Sequence, residues 1–157
     1  MLIEFQDYLT FENIYLWTNF GVLPFWLMLI FIPSSKFTQF FVNSIILPLL
    51  LTTMYVYIIY QAFLLDENML DFFKIFLSID DVYTAFATES FLIAFWVHFI
   101  ALNLFLGSWI SRDAVKYNIS RSLAFVPLLV VYFTGPIGLV LYWIIRVFYA
   151  KKLGLHD

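Results

Sequence analysis

Cysteine is absent from this chain, which excludes disulfides, thiolate catalysis and Cys-ligated metal or cluster sites. Histidine is nearly as scarce, with only His98 and His156. That rules out the histidine-rich di-iron sites of many membrane desaturases and hydroxylases. A single histidine holds a metal only with outside ligands, so no metal site is expected. Charged residues make up 12% of the chain, against about a quarter in soluble domains. With a net charge of −3 and no Lys/Arg run, nothing points to nucleic acid as a partner. The opening MLIEFQDYLTFE lacks the basic start of a signal peptide, so the first span reads as a retained helix.

Apolar residues, in contrast, make up 64% of the 157. A water-soluble domain of this length has too much surface to hide them. The long runs need the lipid bilayer as their solvent. There, backbone groups must be satisfied internally, leaving helices or closed barrels. Barrel strands alternate apolar and polar over about ten residues, whereas these runs are continuous and at least twice as long. Helices win.

Four stretches suffice for the roughly 20 residues a crossing takes: Asn13–Pro33, Phe40–Leu65, Ala85–Ile110 and Leu123–Tyr149. Residues 1–157 thus read as one all-α, multi-pass domain of four transmembrane helices in a bacterial inner membrane or an organelle membrane. Between the second and third spans, DENMLDFFKIFLSIDD is acidic but carries an apolar stripe, and predicts a short interfacial amphipathic helix or structured loop. Four crossings put Lys36, Arg112, Lys116 and Arg121 on one side, and Lys74, Arg146, Lys151 and Lys152 on the other. The positive-inside rule then has no majority to act on. Lys36, the only cation flanking the first span, points to both termini being extracytoplasmic or lumenal.

Candidate sites follow from what is rare in lipid. Ala87, Ala94, Ala101 and Ser108 recur every seven residues, a spacing that lets helices approach closely. His98 follows Ala94 by four residues and is expected to point into the bundle near mid-depth. Asn19, Thr52, Thr53 and Thr134 lie at similar depth and would complete a polar cluster around it. Intramembrane ionisable groups face a partner or a cavity. His98 therefore reads as a hydrogen-bonded structural group, an acid–base catalyst, or a ligand for a pigment or haem. Pro24, Pro48, Pro127 and Pro136 each remove a backbone donor. Of these, Gly135-Pro136-Ile137-Gly138 is the sharpest break. Twenty Phe, ten Tyr and five Trp supply interfacial belts and lipid-facing filler, or the lining of a groove for a polyene.

Several segments resemble one family at corresponding places: Asn19 with LPFWLMLIFIP, then PLLLTTMYVYI, WVHFIALNLFLGSWISRDA and FTGPIGLVLYWIIR. The family is that of the plant neoxanthin-synthesis membrane protein and its bacterial relatives. Its most specific block is Trp96–Asp113, with His98, Gly107, Trp109 and Asp113 in matching places. The resemblance implies a four-helix membrane protein associated with epoxy-carotenoids, whose isomerisation opens an epoxide into an allene. Such chemistry is redox-neutral and uses an acid at the epoxide oxygen and a base at a vinylic proton, steps open to histidine. Where the family commonly has an acidic residue, this chain has Asn103. On this reading Asn19, His98, Asn103 and Thr134 are the candidate ligand-binding residues, with His98 the candidate catalyst and a carotenoid the candidate ligand. The second reading is a non-catalytic accessory subunit of a respiratory or photosynthetic complex. A transporter is disfavoured by the short chain and the lack of repeats.

Overall fold

Apolar runs separated by short polar turns leave the backbone no choice but internal hydrogen bonding. The computed structural model describes residues 9–44, 46–65, 69–151 and 154, and every regular element among them is a helix. These are α1 (Phe11–Phe31), α2 (Lys36–Phe41), α3 (Ile46–Leu65), a 3₁₀ helix (Met69–Phe76), α4 (Ile79–Phe86), α5 (Glu89–Lys116), α6 (Arg121–Thr134) and α7 (Pro136–Ala150). Hydroxyl caps set several starts. Thr10 Oγ1 accepts from the Asn13 amide at 3.2 Å, and Ser35, Ser78 and Ser120 cap α2, α4 and α6 in the same manner. Pro48 and Pro136 fall in first turns, where no intrahelical donor is needed. Only Pro24 and Pro127 interrupt helix interiors.

The helix α5 is the axis of the molecule, packing against α1, α3, α6 and α7. Two cross-links align α1 parallel to it: Trp96 Nε1 donates to Asn19 Oδ1 at 3.2 Å, and Ser111 Oγ donates to the Leu29 carbonyl at 3.1 Å. On the other flank α3 runs antiparallel, with Ser108 Oγ 2.7 Å from Asn43 Oδ1 and Tyr55 beside His98. Val22, Trp26, Leu51, Ile100, Leu104 and Leu128 are buried where these helices meet.

Three helical runs are long and apolar enough to cross a membrane: Phe11–Phe31, Lys36–Ala62 and Glu89–Lys116. The expected fourth span, Leu123–Tyr149, is not one helix. At Gly135, with φ +60°, the chain reverses, and α7 returns along α6. A Cβ placed on Gly138 would lie 2.7 Å from the Pro127 carbonyl oxygen. In a continuous helix those residues would be about 16 Å apart. The two arms have 14 and 15 residues, about 21 to 23 Å, short of the roughly 30 Å core. The fourth apolar stretch is therefore a helical hairpin, and its tip meets α5 at Asn103, near the middle of that helix.

The hairpin changes the charge map. Lys151 follows the returning arm to the same end as Lys36, Arg112, Lys116 and Arg121, while Arg146 lies one turn inside that end. At the opposite end stand Glu12, Asp80, Asp81 and Glu89, with Lys74. Lys152 lies outside the described residues, as do His156 and residues 66–68 of the acidic connection. The rest of that connection forms the 3₁₀ helix and the start of α4, both amphipathic as expected, but α4 runs on to Phe86, so the third span begins at Glu89 rather than Ala85.

Candidate functional site

The polar cluster expected around His98 does not assemble. A four-residue step on a helix turns about 40° past the starting position, which carries His98 to the edge of the α3 contact. Its side chain is exposed, with the imidazole 5.8 Å from the Tyr55 ring centre. Thr52, Thr53 and Thr134 are exposed as well. The hydroxyls of Thr53 and Thr134 fold back onto the Leu49 and Val130 carbonyls, each at 2.9 Å. Half-buried Asn19 instead grips the α5 indole of Trp96. Along the small-residue stripe, Ala94 and Ser108 are buried and Ala101 is half-buried, whereas Ala87 is exposed and precedes α5.

Asn103 is the predicted residue that the structure buries most deeply. It is 4% exposed, and its Nδ2 donates to the Tyr132 carbonyl at 3.4 Å. A Cβ on Gly135 would fall 2.5 Å from Asn103 Oδ1, so the amide presses against bare backbone at the hairpin tip. One turn on, the six-membered ring of Trp26 packs against Gly107, where a Cβ would lie 2.5 Å from the indole. That indole also meets Tyr132 edge-to-face at 5.4 Å. Small residues at Gly107 and Gly135 thus admit the groups that lock the tip to α1 and α5.

Toward the cationic end lies an ionic knot that the sequence alone did not reveal. Asp113 Oδ2 accepts from Tyr142 Oη and Arg146 Nε, both at 2.7 Å. Arg146, 1% exposed, also donates to the Gly154 carbonyl at 3.0 Å and to Tyr117 Oη at 3.4 Å. Its guanidinium packs over the Tyr117 and Trp143 rings at 4.9 and 5.3 Å. In the sequence Asp113 stands out only within the family block, and Arg146 only as a terminal cation. Their sequence signal is the one-turn spacing of Tyr142 and Arg146, which puts both on one face of α7.

Because the hairpin stops at Asn103, the N-terminal half of α5 lacks that neighbour. Leu92 and Phe95 are exposed there, and Trp96 and Phe99 are half-buried. Tyr15, Trp96 and Phe99 form a tilted aromatic row with centres 5.9 and 5.7 Å apart, and Asn19 sits beside it.

Three crossing-length helices with an inserted hairpin define the class as an all-helical protein suited to a membrane. Within that class the family is specific: the ABA DEFICIENT 4-like family model matches residues 13–142, and the chain belongs to that family. No curated protein and no solved structure matches it.

Proposed function

We propose that the protein is a multi-pass membrane protein that binds a carotenoid or related isoprenoid along the aromatic face above the hairpin tip. The observation that carries this reading is the Tyr15–Trp96–Phe99 row beside Asn19, taken with the family's association with neoxanthin synthesis. A conjugated chain presents a long flat apolar surface that aromatic rings can cover, and a ring hydroxyl or epoxide would need one polar partner such as Asn19. Binding is favoured over isomerisation because Asp113, the buried carboxylate, is enclosed and engaged by both Tyr142 and Arg146. His98 stands on the outer surface of α5, off the aromatic row.

Purification in mild detergent from a carotenoid-producing host tests this reading. A polyene absorption band co-eluting with the protein is expected, reduced by Trp96→Ala and unaffected by an exposed substitution such as Leu141→Ala. A colourless protein held in stoichiometric complex with other subunits would support the accessory-subunit reading instead.

A further inference from the structure

A crevice of about 290 Å³ opens where α1 ends, between the last turns of α5 and the first turns of α6. Its floor is apolar, formed by Leu29, Ile30, Ala114 and Leu128, while Ser34, Asn118 and Arg121 stand on its polar side. Arg121 bridges the rim: one terminal nitrogen donates to the Phe31 carbonyl at 3.3 Å, and the guanidinium fork carries five donors in all. The surroundings are cationic. Lys36, Arg112 and Lys116 lie at this end, and Asp113 is already engaged by Arg146. The field at the mouth therefore favours an anion, and the floor favours a molecule with an apolar continuation.

We infer that this crevice holds the phosphate headgroup of an anionic phospholipid, with Arg121 as its principal ligand and the acyl chains running down the outside of the bundle. The volume of about 290 Å³ is ample for a phosphate headgroup. The level fits too, because the crevice lies at the ends of the crossing helices, where lipid phosphates sit. Arg matches phosphate oxygens with paired N–H donors, which Lys cannot do.

The test is thermal unfolding of the purified full chain in neutral detergent, with phosphatidylglycerol, phosphatidylcholine or inorganic phosphate added separately. Phosphatidylglycerol is expected to raise the melting temperature by about 5 °C when well above its dissociation constant, with little change from the other two. Arg121→Gln should abolish the rise, while Arg112→Gln, an exposed cation not among the crevice-lining residues, should keep it. Should Arg121→Gln fold poorly, Ser34→Glu leaves Arg121 unsubstituted and places on the rim a negative charge that competes with phosphate for it. It too should abolish the rise. An equal rise with phosphatidylcholine, a rise with inorganic phosphate alone, or one surviving Ser34→Glu would overturn the assignment.

Discussion

Taking a carboxylate and a guanidinium out of water costs several kcal/mol per ion, repaid only where geometry and further hydrogen bonds are good. Asp113 and Arg146 meet that condition, with Tyr142, Tyr117 and the Gly154 carbonyl completing the network. Arg146→Met should therefore cost about 3–5 kcal/mol, because it strands the buried Asp113 charge. Pairing it with Asp113→Asn should recover much of that loss, and Tyr142→Phe alone should cost about 1.5–3 kcal/mol. Melting curves in detergent measure all three, and strictly additive losses would show that the groups do not act as a unit. His98 makes the opposite case. Being exposed, it should accept either Gln or Leu with a stability change within about 0.5 kcal/mol. A large loss with Leu alone would mean that it is buried after all. The rarity of His98 made it conspicuous in the sequence, but a rotation of tens of degrees decided its face, and no spacing rule supplies that. The Asp113–Arg146 pair was hidden for another reason: its members are 33 residues apart, and only the reversal at Gly135 brings them together.

Among the elements, the hairpin depends on close backbone contact between its arms. Gly138 leaves no room for a Cβ, since the Val131 amide and the Pro127 carbonyl occupy that space. Gly138→Ala is expected to destabilise the protein by at least the 1–3 kcal/mol typical of overpacking, because backbone rather than a mobile side chain must yield. Gly21 is the matched control. It lies inside α1 with nothing within 4 Å of the place a methyl group would take, so Gly21→Ala should stabilise by about 0.5–1 kcal/mol. Equal effects of the two in a thermal melt would refute the close crossing. Crossing-length helices were legible because apolar length is a direct measure of a bilayer's thickness. The break at Gly135-Pro136 was legible as well. Its consequence was not, since a kink and a reversal call for the same residues. The difference lies in what Gly138 touches.

At the scale of the whole molecule, the reversal decides which termini share a side. With four crossings the cations divide evenly, and charge has nothing to say about orientation. With a hairpin entering and leaving at one end, Lys36, Arg112, Lys116, Arg121 and Lys151 gather together, opposed by Lys74. Short loops rich in Lys and Arg stay cytoplasmic, so the α5 C-terminal end is expected to face the cytoplasm, with the acidic α4 end opposite. The chain's lack of cysteine makes the test direct, because single cysteines can be introduced without removing others. Lys36→Cys, Asp80→Cys and Lys151→Cys all fall on exposed positions. In intact cells, a membrane-impermeant thiol reagent should label the Asp80 variant alone, and the other two should label only after the membrane is opened. Lys36 and Lys151 report on the hairpin independently of orientation: they must share a side whichever way the protein is inserted. Labelling of Lys151→Cys together with Asp80→Cys, and apart from Lys36→Cys, would mean that the last apolar stretch crosses the bilayer, and the hairpin would have to be given up.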